Sequence, residues 1–173
     1  PMLVAREAVS REAIASLRIA VPGPMTSAFL ALQLWLGKKG EQLNYTVVPF
    51  DEIFKTVNEG RADVGLIIHE GQLTFENEGL VCCEDLGVWW GCENDGLPLP
   101  LGGNVIHKRI EAGERKVVSD VLERSIRFSL DNRAEAVEHS LQYARDMGID
   151  LADKFVGMYV NDWTLDYGEA GRE

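Results

Sequence analysis

Residues 63–68, Asp-Val-Gly-Leu-Ile-Ile, restrict the fold more than any other segment of the chain. A half-buried strand alternates apolar and polar residues. This run does not alternate, so it fits a strand covered on both faces, as in a parallel sheet flanked by helices. Its surroundings agree. Residues 17–21 are a short β-rich run stopped by Pro22-Gly23-Pro24. Met25, Ala28, Phe29, Leu32, Trp35 and Leu36 then line one face of a helix that ends near Gly37 or Gly40. Residues 44–48 form the next strand. Asp51 caps a short helix over residues 52–59, closed by Gly60, and residues 80–83 form a further strand. Strands alternating with helices imply βαβ units and a mostly parallel sheet.

The texture changes after Leu97-Pro98-Leu99-Pro100-Leu101-Gly102-Gly103. Residues 104–108 read as a strand, and nearly everything beyond reads as helix. One helix covers 117–130. A second starts at Asp131 or Asn132 and runs to Met147, with Gly148 as its stop; with Asn132 as cap, Glu135 falls at the third position of a capping box. Asp150 caps a third, carrying Leu151, Phe155, Met158 and Tyr159. An α/β unit between two crossing segments, followed by helices, is the pattern of a two-lobed protein with one lobe inserted into the other. On this reading residues 1–8 are a hinge strand from a first lobe. Residues 9–102 are the inserted α/β lobe. Residues 103–173 are a return hinge strand and the helical part of the first lobe. The chain opens at Pro1-Met2-Leu3-Val4-Ala5, directly into a strand, and is expected to be a piece of a longer protein.

Charge and composition narrow the function. With 17 Lys and Arg against 28 Asp and Glu, the net charge is −11. Binding a phosphate backbone needs clustered cations, so a nucleic-acid partner is not expected, nor is an anionic membrane surface. No apolar run reaches the ~18–20 residues of a membrane span, and residues 1–10 lack the features of a signal peptide. Cys82, Cys83 and Cys92 are odd in number, with two adjacent. That fits reduced thiols in a cytosolic protein rather than a disulfide framework, and with His69, His107 and His139 they complete no zinc spacing.

The sharpest chemical signal is the end of the apolar run, where Ile68 gives way to His69-Glu70-Gly71. Ligands of open α/β sheets bind beyond the carboxyl ends of the strands. An imidazole there is suited to proton transfer near neutral pH. By itself a histidine satisfied by a loop carbonyl is the more ordinary reading, and strand alternation turns Glu70 away from His69. A second signal is the turn 22–28, which leads into a helix whose first turn carries Thr26 and Ser27. Free N–H groups and hydroxyls at a helix start suit an anionic or hydroxyl-rich ligand, although N-capping uses the same residues. No Gly-Lys-Ser/Thr ending makes this a P-loop. Trp89-Trp90 reads as one core and one surface aromatic, and Asn161 to Gly168 as a polar tail explained equally by capping.

Taken in order, several motifs resemble one family: 22–28 (Pro-Gly-Pro-Met-Thr-Ser-Ala), 50–53 (Phe-Asp-Glu-Ile), 65–71 (Gly-Leu-Ile-Ile-His-Glu-Gly), 85–90 (Asp-Leu-Gly-Val-Trp-Trp), 96–103 and 159–168. The chain is similar to the 1,4-dihydroxy-6-naphthoate synthases from Leu3 to its C-terminus. The resemblance implies an α/β fold of the type-2 periplasmic-binding-protein class, used in the cytoplasm as a menaquinone-pathway lyase that opens cyclic dehypoxanthine futalosine. Here that means one complete α/β lobe plus the C-terminal helical part of the other. It implies His69 as the catalytic base, Thr26 and Ser27 as substrate-binding residues, and no metal or redox cofactor. The partner is a small-molecule substrate, an aromatic carboxylate with a sugar-derived ring. Family members carry a further N-terminal segment that builds most of the first lobe. The helical tail is expected to pack on that segment or on a second chain, a homodimer included. Besides a helical interaction module, suggested by the tail, two alternatives stand beside this reading. One is a solute-binding lobe without chemistry. The other is a chorismate-dehydrating enzyme of the same fold, against which His69-Glu70-Gly71 argues.

Overall fold

The run 63–68 forms an inner strand of a mixed five-stranded sheet in a computed structural model that describes residues 1–143 and 148–172. Two compact units share the chain, Pro1–Gly102 and Gly103–Glu173. The first contains β1 (Met2–Ala5), α1 (Arg11–Ile14), β2 (Ile19–Val21), α2 (Ser27–Leu36), β3 (Tyr45–Val47), α3 (Ile53–Asn58), β4 (Val64–Ile67), β5 (Val81–Asp85) and α4 (Leu86–Glu93). The strand order is β3-β2-β4-β1-β5. β2 pairs in parallel with β3 and β4, whereas β1 pairs antiparallel with β4 and β5. Four strands therefore share one direction and β1 opposes them. The expected mostly parallel sheet is corrected at β1, which pairs antiparallel with both of its neighbours.

All four residues of β4 are buried, and they alternate between two cores. Val64 and Leu66 join Leu3, Ile19, Val21 and the inner face of α2 on one side of the sheet. Ile67 joins Val4, Ala20, Ile53 and Val57 on the other, beneath α3. Fully burying each such side chain contributes about 1.5–3 kcal/mol. Gly65 faces α3. A Cβ there would lie 2.6 Å from Ile53 Cγ2 and 3.0 Å from Val57 Cγ2, so α3 rests on bare backbone. Arg18 clamps the entry of β2 to that of β4. Its guanidinium reaches both carboxylate oxygens of Asp63, at 3.1 and 2.8 Å, and the Gly60 carbonyl at 2.9 Å.

The helix expected from Met25 starts two residues later, at Ser27. Thr26 is the N-cap of α2, and Met25 lies before it, 97% exposed. Gly37, at φ 64°, ends α2 with N–H bonds to the Gln33 and Leu34 region. Asp51 does not cap α3: a 3-10 turn, Phe50–Glu52, absorbs it, and Glu52 takes the cap position without a side-chain bond.

The second unit is helical: α5 (Ala112–Asp131), α6 (Arg133–Ser140), α7 (Ile149–Tyr159) and α8 (Asp162–Leu165). Residues 104–108 are not a strand. No ladder partner pairs with them, and Val105 is 92% exposed. Asn132 makes no capping-box bond, because its side-chain amide instead donates to the Phe128 carbonyl at 3.0 Å. The expected run to Met147 lies partly outside the described residues. Gly148, rather than Asp150, caps α7. Arg133 ties α6 to α7 through the Asp153 carboxylate (2.7 Å) and carbonyl (2.6 Å). Val137 and Ala152 are buried, and no residue of α5 is. Among the described residues no helix is long and apolar enough to cross a membrane.

Candidate active site

The pairing of β2 with β3 and β4 sends three strand ends to one edge of the first unit. α2 carries the chain from β2 outward to β3 along one face. α3 brings it back past β2 to β4 along the other. The direction of winding reverses between β2 and β4, and in open α/β sheets that reversal leaves a crevice at the carboxyl edge. The loops flanking it are residues 22–26 and 68–71.

His69 leaves β4 in the alternation the strand sets. Ile67 packs under α3, Ile68 packs on the opposite core, and the imidazole returns to the α3 face. There it meets Phe50, with centroids 5.5 Å apart, and Phe54, at 5.6 Å. Its side chain is 12% exposed. The chain then turns into a short 3-10 helix, Glu70–Leu73, with His69 as N-cap. The Gly71 N–H donates to His69 Nδ1 at 2.9 Å. A ring nitrogen that accepts carries no proton, so the neutral ring holds its proton on Nε2. Nε2 is buried and has no hydrogen-bond partner among the described residues. The alternation lasts through His69 but not into the 3-10 helix that begins at Glu70, so Glu70 does not turn away as expected. Glu70 Oε2 lies 3.8 Å from His69 Nδ1. Gly71 is glycine for want of space: a Cβ there would sit 2.5 Å from His69 Cε1 and 2.5 Å from Phe54 Cζ.

Thr26 and Ser27 lie across the winding reversal, at the start of α2 on the other face of the sheet. Both hydroxyls are engaged. Thr26 Oγ1 donates to the Gly23 carbonyl at 2.9 Å and accepts from the Phe29 N–H at 3.1 Å. Ser27 Oγ donates to the Leu101 carbonyl at 2.6 Å. Thr26 is thus a capping residue in this structure, and no hydrogen bond joins either hydroxyl to His69. The N–H groups of Ser27 and Ala28 precede the first intrahelical bond, Leu30 N–H to Thr26 carbonyl, and face the same carboxyl edge.

Phe50 and Phe54 line the candidate site; the sequence reading quoted Phe50 only within the 50–53 motif, without a role, and did not single out Phe54. The signal available was position: both follow β3, whose carboxyl end shares the edge with β4. Other candidates stand apart from the crevice. Asp85 caps α4, and Trp89 packs on the core with Trp90 edge-on at 6.3 Å. Burial first, then neighbouring acidic groups, pushes the Cys82 thiol up. Burial does the same to Cys83, so neither is an activated nucleophile. In the second unit Asn161 caps α8, its side-chain oxygen accepting from the Trp163 N–H at 3.1 Å, which accounts for that residue structurally.

The fold is of the periplasmic-binding-protein-like class. The alkanesulfonate-binding protein SsuA from Xanthomonas axonopodis pv. citri superposes with a TM-score of 0.66 at 15% identity, over 91% of this chain and 54% of that one. A crystallised protein from Archaeoglobus fulgidus superposes more tightly, with a TM-score of 0.87 at 36% identity, over 98% of this chain and 61% of that one. The family described as menaquinone biosynthesis matches residues 1–173, and the chain belongs to it. Two curated relatives are named 1,4-dihydroxy-6-naphthoate synthase. The Streptomyces coelicolor protein is 35% identical over 94% of this chain and 59% of its own length. The Thermus thermophilus protein is 34% identical over 99% of this chain and 60% of its own length. The chain thus spans about 60% of the length of the curated relatives it matches.

Proposed function

We propose that the full-length protein is a 1,4-dihydroxy-6-naphthoate synthase, a carbon–carbon lyase acting in the cytoplasm on cyclic dehypoxanthine futalosine. The observation that carries this reading is His69, an imidazole at the carboxyl end of β4 beside the winding reversal, with one ring nitrogen buried and unpartnered. The names of the two curated relatives agree with it.

In this reading His69 takes a proton from the carbon beside a substrate carbonyl and starts an elimination. The carbon–carbon bond to the sugar-derived fragment then breaks, its electron pair leaves on that fragment, which takes up a proton from the His69 imidazolium, and the bicycle becomes aromatic. The substrate's own rearrangement supplies the driving force, so no metal or redox cofactor is invoked. A positioned general base contributes about 10²–10⁴-fold. Phe50 and Phe54 flank the ring, limit its motion and supply an apolar wall beside it. The substrate carboxylate is assigned to the start of α2, where the Ser27 and Ala28 N–H groups and the positive helix end favour an anion. Thr26 and Ser27 accordingly bind substrate through this helix start, Thr26 by holding its shape and Ser27 through the oxygen lone pairs left free by its bond to Leu101.

The test is incubation of the full-length protein with cyclic dehypoxanthine futalosine, followed by mass spectrometry. Accumulation of 1,4-dihydroxy-6-naphthoate is expected. Recovery of bound but unchanged substrate would replace the lyase reading with that of a ligand-binding lobe.

A further inference from the structure

The bonding around His69 shows the imidazole in a form that does not yet serve a base. Nδ1 accepts the Gly71 N–H, and the neutral ring carries its proton on Nε2. Once the ring has taken a substrate proton, both nitrogens carry hydrogen, whichever nitrogen received it. Nδ1–H then meets the Gly71 N–H head-on, donor against donor, and that contact breaks. The imidazolium Nδ1–H needs another acceptor. The faces of Phe50 and Phe54 against the ring carry none. Glu70 Oε2 stands 3.8 Å from Nδ1, at ion-pair range and about 1 Å beyond a charge-assisted hydrogen bond.

We infer that Glu70 is a positioning residue for the lyase step: when exchange with solvent moves the ring proton from Nε2 to Nδ1, its carboxylate accepts from Nδ1–H in place of the Gly71 contact and holds His69 in the orientation and tautomer that leave the Nε2 lone pair open to the substrate proton. The inference rests on the proposed role of His69 as base and assigns to Glu70 a part that role does not contain. The exchange is between two partners already on the same turn. Glu70 is the first residue of the 3-10 helix that His69 caps, so rotation of its side chain closes the gap without moving β4. Glu70 is 27% exposed in its side chain and His69 12%, so the pair is partly shielded and its attraction is not lost to solvent screening. A proton arriving at Nε2 finds a ring whose far nitrogen is already committed to an anion. The same carboxylate stabilises the positive charge that forms on the ring, since an opposite charge within ~4–6 Å favours the charged form.

The test compares wild type, Glu70→Gln, Glu70→Asp and a His69→Asn control in the full-length protein. Steady-state kinetics are measured with cyclic dehypoxanthine futalosine, alongside ¹⁵N NMR of the His69 ring nitrogens in histidine-labelled protein. Glu70→Gln keeps the shape of the side chain and removes its charge. It is expected to lower kcat by about 10–100-fold with KM changed by less than about threefold, within the ~10²–10⁴-fold that a positioned general base contributes. The NMR spectrum of that variant is expected to show less imidazolium than wild type at the same pH, and a neutral ring still protonated on Nε2. Glu70→Asp, which keeps the charge, is expected to recover part of the rate. Loss of turnover in His69→Asn, with wild-type kcat and wild-type ring-nitrogen shifts in Glu70→Gln, overturns the assignment of Glu70 and leaves His69 standing. Full turnover in His69→Asn overturns the base reading itself, and the inference with it.

Discussion

Gly71→Ala probes the packing around the imidazole most severely. The added Cβ would lie 2.5 Å from His69 Cε1, 2.5 Å from Phe54 Cζ and 2.8 Å from Phe54 Cε2. Carbon atoms in favourable contact sit about 3.5–4.0 Å apart, so two rings must each yield by about 1 Å. Forcing a methyl group into a packed site costs about 1–3 kcal/mol. Displacing the imidazole also loses the Gly71 N–H bond to Nδ1, a further ~0.5–1.5 kcal/mol. Together these give about 2–4 kcal/mol. With a urea slope of about 2 kcal/mol/M, the unfolding midpoint falls by about 1–2 M. Gly65→Ala is the matched comparison. Its Cβ would crowd Ile53 and Val57 in the core beneath α3, at 2.6 and 3.0 Å, and meets no atom of His69. Urea unfolding and turnover are measured on both variants. Both are expected to lose stability, and Gly71→Ala alone is expected to lose kcat beyond its folded fraction. A Gly71→Ala protein that unfolds at the wild-type midpoint and turns over at the wild-type rate would refute the close packing of Gly71, His69 and Phe54.

Three further expectations concern other parts of the molecule. The Arg18 guanidinium holds the Asp63 carboxyl below the usual aspartate range, so Asp63 binds its proton less readily folded than unfolded. Its stabilisation is present above that range and lost as pH falls through the folded value; acid unfolding of Asp63→Asn should therefore show a shallower dependence on pH than wild type, and an unchanged slope would contradict the clamp. Because burial raises both thiols, Cys82 and Cys83 should alkylate more slowly than free cysteine at mildly alkaline pH, followed site by site by mass spectrometry. Arg133→Met should cost about 1–2 kcal/mol by removing the ties to Asp153, read as faster amide exchange in α6 and α7, with β4 unaffected.

What the amino-acid order reveals, and what it conceals, follows from where the determining contacts lie. The unbroken apolar run 63–68 announced a strand covered on both faces, and β4 is buried at all four positions. Gly37 and the apolar stripe on α2 were legible because helix ends and faces are local properties. The reversal of β1 was not, since strand direction is set by pairing across more than 60 residues. Residues 104–108 have the composition of a strand, but a strand exists only with a neighbour to pair with. At the site, His69 stood out by its place after an apolar run. The approach of Phe50 and Phe54 did not, because they reach the ring through the tertiary packing of α3 and of the 3-10 turn before it beside β4. The approach of Glu70 to the ring was hidden for the opposite reason: its local position does not follow strand alternation, because it starts a 3-10 helix three residues past the end of β4.

The claim on which the account turns is that the His69 ring accepts the substrate proton. Turnover and substrate affinity of wild-type and His69→Ala full-length protein, measured side by side with cyclic dehypoxanthine futalosine, test it most directly. A fall in kcat of about 10²–10⁴-fold, with affinity held within a few-fold, is the predicted result. Turnover by His69→Ala at close to the wild-type rate would contradict it.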